Sequence, residues 1–490
     1  MKPVMVRELR PFSLAWLADE LGCTVERAKT LVGDMMARGI VRYRTGRKTD
    51  PEEADVEGAT PCEVYQFRFV GLVMIEGAVI VAYPKYFYDR TPGNDELGLI
   101  MRVVKRDAGI AVLTSLEDGG EGASDRLPVM LALLELYGEY GEYSNYVEGR
   151  ELNGNGSIDW NGTIGGHLPV LSNGQPIYME YETRKTYRDG SDFITRLHRA
   201  VLTECSREFG EAGIDKLLSL DEVCLSDEDI EAFGDVETLG WRLERERAVQ
   251  FSDWKLLTLD LLERYLLARE NEVRSDEVQT LGTTSFYHLW EEACKTALGD
   301  ALGRRLGELE LTLEGKWAAD RQKKLIEIIP RPLWERWRGD GFAEPEGTDT
   351  LIPDAIAVAN GPDGERLFCI CDAKYYVPSV SGKMEHQPGL ESVAKQFLYQ
   401  SAYRRFIEDC GFDRVVNAFL VPGTVDVPEL MARVSFPGVF AEEEMPLGNY
   451  INMLMLPAGI VFEAYLRGEV LNTCQLLAVE GVCERESQGG

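Results

Sequence analysis

Apolar positions first recur at helical spacing in Val25, Ala28, Leu31, Val32, Met35 and Met36, which predicts an amphipathic helix over VERAKTLVGDMMARG. Thr24 is placed to cap its start, with Arg27 a less usual residue in its first turn, and Gly39 to end it. SLAWLADELG predicts a shorter amphipathic helix, broken by Gly22, and IVRYRTGR reads as a strand. From Glu63 to Tyr88 the pattern becomes short β-branched and aromatic runs punctuated by Gly71 and Gly77, which predicts a small sheet. Residues 95–150 read as helical, 151–180 as Gly/Asn-rich short strands, and 192–275 as charged helices with solvated faces. In the last third, IPDAIAV and RLFCICDAKYY read as two strands joined by the turn NGPDG. A polar stretch, VPSVSGKMEHQPGLES, leads to the helix VAKQFLYQSAYRRF and then to an apolar strand, VVNAFLVPG.

The opening order of helix, turn, helix and strand is a winged helix-turn-helix pattern. Such a module either reads DNA or docks a protein, and the pattern leaves both open. Residues 49–60, TDPEEADVEGAT, form an acidic linker or wing tip. The expected architecture is α/β and multidomain. Its parts are a winged module (1–60), a small β-rich unit (61–120), a mixed helical middle region (121–275), an α/β region carrying the hairpin (276–475) and a tail (476–490). No repeat or long low-complexity tract interrupts this order.

Composition narrows the function. The 490 residues carry 52 Lys and Arg against 83 Asp and Glu, a net charge of −31. Such a chain repels polyanions, so work on nucleic acid needs a local basic patch, a divalent cation or a partner that delivers the substrate. Residues 1–50 differ, with ten Lys or Arg against six acids. Four isolated His exclude a His-rich metal site. Ten scattered Cys without a CxxC pair suit reduced thiols. No apolar run approaches the ~18 residues of a membrane span. The charged start MKPVMVRELRPF lacks a signal-peptide core, so a cytoplasmic location is expected.

The strongest chemical signal lies in the predicted hairpin. Alternation along FCICDAK places Phe368, Ile370, Asp372 and Lys374 on one face. Asp354 sits on the paired strand after Pro353. Two carboxylates and an ammonium at the end of an apolar hairpin are costly to hold together unless something binds there. A Mg²⁺ ion, with Mn²⁺ as a substitute, suits the pair, since it accepts one or two carboxylates and keeps water and phosphate in its other positions. Such an ion activates water and neutralises a scissile phosphate, with Lys374 orienting the water or stabilising developing charge.

This PD…DxK arrangement, Pro353-Asp354 with Asp372-Ala373-Lys374, resembles the PD-(D/E)xK nuclease superfamily. The resemblance implies an acid from a preceding helix at the metal, for which LWEEACK offers Glu291 or Glu292, with Glu291 preferred. It also implies a Gln or Lys from the following helix, where Gln396 and Lys395 are candidates and Gln396 shares a face with Gln400. Further phrases are similar to the LlaJI-type restriction endonucleases, relatives of McrC. They are Phe69-Val70-Gly71 with Tyr83-Pro84-Lys85-Tyr86, Ile158-Asp159-Trp160 with Thr163-Ile164, LHRAVLTEC, FYHLWEEAC, PDAIAV, DAKYY, and KQFLYQSAY with NAFLVP. One departure is Asn161-Gly162, where that family tends to have a basic pair.

The resemblance implies the nuclease subunit of a two-gene restriction system against phage, cutting DNA beside a McrB-like AAA+ GTPase. Residues 276–475 would then form the PD-(D/E)xK nuclease domain, a mixed sheet flanked by helices, and residues 121–275 would serve partner docking. The partner would carry the nucleotide site, and no GxxxxGK[ST] stands in this chain. Two other readings stay open: a non-catalytic DNA-binding or adaptor protein whose nuclease-like core regulates an AAA+ partner, and a nuclease that works alone.

Overall fold

The computed structural model describes residues 3–45, 63–75, 78–117, 126–272, 278–339, 341–347, 350–361, 364–377, 386–440, 445 and 447–477. The acidic segment 49–60, residues 378–385 of the polar stretch and nearly all of the 476–490 tail lie outside them. The fold is mixed α/β with several sheets. The chain divides into two compact units, Gly109–Gln279 and Lys2–Ala108 together with Thr280–Gly490. Among the described residues no helix is long and apolar enough to cross a membrane.

Strands β1 (Val4–Arg7) and β2 (Pro11–Phe12) precede α1 (Leu14–Leu21) and α2 (Val25–Ala37). The caps form where the sequence suggests. Ser13 Oγ accepts from the Trp16 amide and Thr24 Oγ1 from the Arg27 amide. The buried stripe of α2 is narrower than its apolar periodicity: Ala28, Leu31, Val32 and Met35 are buried, but Val25 and Met36 are exposed. β3 (Val41–Thr45) and β4 (Glu63–Phe67) join β2 in an antiparallel sheet of order β2-β4-β3. β5 (Val70–Ile75) pairs antiparallel with β6 (Ala78–Tyr83), and β1 lies parallel to β6. α3 (Asn94–Glu117) follows.

The unit Gly109–Gln279 holds α4 (Arg126–Tyr140), β7 (Tyr146–Leu152), β8 (Ser157–Ile158), α5 (Trp160–Gly166), β9 (Val170–Ser172), β10 (Gln175–Ile177), β11 (Glu182–Arg188), α6 (Phe193–Ala212), α7 (Val236–Arg247) and α8 (Asp253–Glu272). The helix expected through Arg150 stops at Tyr140. Gly141 turns the chain at a φ of 81°, and Tyr146–Leu152 pair along their whole length with β11. Cross-strand pairing has overridden the local helical pattern there. α5 also interrupts what reads as strands alone. α4 packs on α6 and α8, with α7 against α8.

The remaining chain supplies β12 (Gln279–Thr283), α9 (Phe286–Leu298), α10 (Gly315–Ala319), β13 (Leu333–Trp334), β14 (Glu346–Gly347), β15 (Ala355–Asn360), β16 (Arg366–Ala373), α11 (Leu390–Asp409), β17 (Arg414–Gly423), β18 (Glu429–Val434), β19 (Ile451–Pro457), α12 (Ala458–Arg467) and α13 (Thr473–Leu477). β12 completes a sheet of order β1-β6-β5-β12. The principal sheet has the order β15-β16-β17-β19-β18, with β16, β17 and β19 parallel and both outer strands antiparallel. β17 and β19 are nearly continuous buried apolar runs, as a parallel sheet covered on both faces requires. Phe368 and Ile370 of β16 pack with Tyr403 and Phe406 of α11. α9 packs on β15, β16 and α12.

Two expectations follow. Gly71 and β12 approach so closely that a Cβ on Gly71, whose φ is 144°, would lie 2.2 Å from the Leu281 carbonyl oxygen. Gly71→Ala is expected to destabilise the protein by about 3 kcal/mol, from overlap and backbone strain together, as measured by chemical unfolding. In the other unit, buried His198 accepts the Tyr143 amide on Nδ1 at 2.9 Å, and burial pushes its pKa down to about 4. The unfolded ring titrates at 6.5, so this contribution is intact above that pH and is lost as pH falls toward 4. A loss of about 3 kcal/mol across that window is expected, with His198→Gln flattening it. Trp254, 6.2 Å from the Tyr143 ring, gives the fluorescence readout.

Candidate active site

The site is built by strand register. β15 and β16 pair Ala355 with Cys371, so one step further Asp354 lies opposite Asp372. The Ala373 amide donates to Asp354 Oδ2 at 2.9 Å, which pins the first carboxyl to the second strand. Lys374 continues beyond β16, and its amide donates to the Leu420 carbonyl of β17 at 2.8 Å. Its Nζ lies 2.8 Å from Asp372 Oδ2. Asp372 is buried and Asp354 is half-buried. Asp354, Asp372 and Lys374 are therefore together at the carboxyl end of the parallel strands, where open α/β sheets place their ligands.

The electrostatics of the pair are unbalanced. Burial, then the Asp372 charge, then that of Glu291 push Asp354 up to about 8, against the pull of Lys374. A hydrogen bond between the carboxyls adds to the rise. The Asp354 carboxyl is thus held well above the usual carboxylate range by its neighbours, as like charges forced together require. A cation between the two acids would relieve the same repulsion, so the donor set fits a hard divalent ion. Among the described residues no three His, Cys, Asp or Glu side chains converge as a metal cage. Two carboxylates suit Mg²⁺, which keeps much of its water, better than an ion that needs a full protein cage.

Of the two helix acids, Glu291 is the one whose charge reaches Asp354. It is half-buried on α9, whereas Glu292 is exposed. Lys295 holds both, at 2.7 Å from Glu291 and 2.9 Å from Glu292. Glu291 stands near the pair without closing on it as a third ligand. Trp290 orients this turn of α9, since its Nε1 donates to the Leu420 carbonyl at 3.0 Å, the same oxygen that accepts from Lys374.

Gln396 is fully buried on α11. Its Nε2 donates to the carbonyls of Ile370 at 3.1 Å and Ala418 at 3.4 Å, tying the helix to β16 and β17. Its Oε1 has no hydrogen-bond partner. Asn417 donates to Gln400 Oε1 and to the Gln396 carbonyl, extending this buried polar seam. Lys395 points elsewhere and pairs with Glu391 at 2.6 Å on the exposed face. Tyr399, three residues after Gln396, was not singled out from the sequence. It donates to the Ile352 carbonyl at 3.0 Å, and burial with the nearby Asp372 and Asp354 charges pushes its phenol up to about 12. The signal was present, since Gln396, Tyr399, Gln400 and Tyr403 share one helical face. Asp300 was also missed. Its Oδ1 accepts from the Ile356 and Leu302 amides at 2.9 and 3.1 Å, fixing the chain after α9 to β15.

Comparison with known proteins places these elements. The family model described as LlaJI restriction endonuclease matches residues 69–305 and 315–436, which take in Glu291, Asp354, Asp372, Lys374 and Gln396. The Type II restriction enzyme BsuMI component YdjA of Bacillus subtilis (strain 168) is 26% identical over 276 residues, 56% of this chain and 53% of that protein. The chain thus spans about half the length of the curated relative it matches. Among solved structures, a half-complex of Thermococcus gammatolerans McrB AAA+ hexamers with bound McrC is similar with a TM-score of 0.35 at 12% identity, covering 95% of this chain and 99% of that one. By the extent of the family match, the chain belongs to the LlaJI restriction endonuclease family.

Proposed function

We propose that this chain is a Mg²⁺-dependent endonuclease subunit that hydrolyses phosphodiester bonds of DNA. The observation that carries the reading is the register-enforced meeting of Asp354 and Asp372 with Lys374 beside them. The five-stranded mixed sheet, with α9 and α11 against it, supports a PD-(D/E)xK core. Helices α1 and α2 with the sheet β2-β4-β3 support a winged helix-turn-helix module.

Asp354 and Asp372 would hold the ion, with Glu291 positioned to reach its water shell. A Mg²⁺ ion bound there would supply positive charge at the scissile phosphate and lower the pKa of a water beside it. Lys374 aligns the attacking water or steadies the extra negative charge of the transition state. Asp372 holds the Lys374 ammonium in place. Gln396 keeps β16 and β17 in register under α11. A AAA+ GTPase partner of the McrB kind would bring DNA to a chain that is too acidic to gather it alone. The description of YdjA as a component of a restriction enzyme supports work in an assembly.

A cleavage assay with Mg²⁺, with and without an added AAA+ GTPase of the McrB kind, tests the reading. Asp372→Ala and Lys374→Ala are each expected to lower cleavage at least ~10³-fold while the protein stays folded, the scale of losing an electrostatic group that acts in the transition state. Wild-type rates in either variant would remove the assignment of these residues, and no Mg²⁺-dependent cleavage by the wild type would leave the adaptor reading. Glu291→Gln is expected to lower the rate more than Glu292→Gln, because only Glu291 is felt at Asp354. Equal losses in the two would show that the helix acid has no part in the site.

A further inference from the structure

Glu8, Lys85 and Tyr375 are 8%, 2% and 4% exposed, so two charged side chains and a phenol are packed away from water. They come from three strand ends. Glu8 follows β1, and its amide donates to the Tyr83 carbonyl at 2.8 Å. Lys85 lies two residues beyond β6, and Tyr375 two beyond β16. The Tyr375 hydroxyl donates to Glu8 Oε2 at 2.5 Å, and the Lys85 amide reaches the same oxygen at 3.3 Å. That amide is also 3.2 Å from the Tyr375 oxygen, and Lys85 Nζ sits 4.5 Å from the centre of the Tyr375 ring. Burial raises the Glu8 carboxyl, the Lys85 charge opposes it, and burial with Glu8 raises the phenol.

Buried charge clusters often add little net stability, and their best-attested use is to fix geometry. What this cluster fixes is the residue next door. Tyr375 directly follows Lys374, and Tyr376 packs the other way, with Val421, Met453 and Met455 of the principal sheet. Lys374 is thus held at its amide by Leu420, with Tyr375 and Tyr376 anchored just beyond it. The Tyr375 ring also lies 5.3 Å from Phe286, the first residue of the helix that carries Glu291.

We propose that Glu8 is a positioning residue for Lys374, acting through the Tyr375 hydroxyl, with Lys85 closing the tie. The nuclease site at the end of β16 then depends on an acid near the amino terminus, in the sheet that begins with β1. The inference rests on the nuclease reading above.

The test uses the full chain under the conditions in which the wild type cleaves. Tyr375→Phe and Glu8→Ala are expected to lower kcat about 10- to 100-fold, with KM for DNA within about twofold, the scale of a small displacement of a catalytic group. Glu8→Gln keeps an oxygen that accepts from Tyr375 and is expected to stay within about threefold of wild type. Hydrogen exchange at the Lys374 amide supplies a readout that needs no cleavage and is expected to quicken in Tyr375→Phe and Glu8→Ala but not in Glu8→Gln. Wild-type kcat per folded molecule and unchanged Lys374 exchange in Tyr375→Phe would overturn the proposal, as would a Glu8→Gln variant as impaired as Glu8→Ala. Full activity of Lys374→Ala would instead overturn the nuclease reading, while the exchange measurement would still decide whether the tie holds Lys374 in place.

Discussion

Antiparallel pairing of Ala355 with Cys371 brings two acids face to face at the end of an apolar hairpin. A one-residue slip would send Asp372 to the opposite face of the sheet. The register is defended on both sides. Phe368 and Ile370 must stay against α11, and β16 must keep its parallel pairing with β17 from Leu367 to Ala373. The carboxyls are therefore not free to relieve their repulsion by moving apart. The repulsion instead raises the Asp354 carboxyl, and a hard cation in the same place would relieve it.

The supporting contacts share a small number of backbone atoms. The Leu420 carbonyl receives both the Lys374 amide and the Trp290 indole, so β17 sets the relation between the lysine and the helix of Glu291. Ile370 and Ala418, the carbonyls that accept from Gln396, lie on neighbouring parallel strands. Removing either partner would leave a buried polar group unpaired, which costs about 1–3 kcal/mol. The polar seam is thus part of the sheet's alignment as much as of its chemistry.

Local patterns were legible where local physics decides the outcome. The caps at Ser13 and Thr24, the hairpin from Ala355 to Ala373 and the shared face of Asp372 and Lys374 all follow from short-range rules. The strand Tyr146–Leu152 has a local helical pattern, and its pairing partner lies 30–42 residues away, beyond the reach of any local window. Glu291 and Glu292 could not be separated by periodicity, since each is one step from a buried residue. Only the position of α9 on the sheet distinguishes them. The tie of Glu8 to Tyr375 spans 367 positions and crosses two sheets, so no spacing rule could reveal it. Lys85 and Tyr375 were visible within family phrases, but what joins them was not.

The charge of the site contrasts with the charge of the chain. Burial and its acidic neighbours raise the Asp354 carboxyl, and Lys374 lies 2.8 Å from Asp372. Lys295 is shared between Glu291 and Glu292 on the neighbouring helix. The Lys374 ammonium and the raised Asp354 carboxyl thus hold down the negative charge of this corner, within a protein of net charge −31. A phosphodiester approaching this edge of the sheet meets little of the repulsion that the surface as a whole would impose, since exposed charges farther than about 8–10 Å are screened by salt. In the proposed reaction, long-range attraction is left to a partner or to the basic first 50 residues. The short-range field at the site would be set by Asp354, Asp372 and Lys374 together with Glu291 and the bound cation.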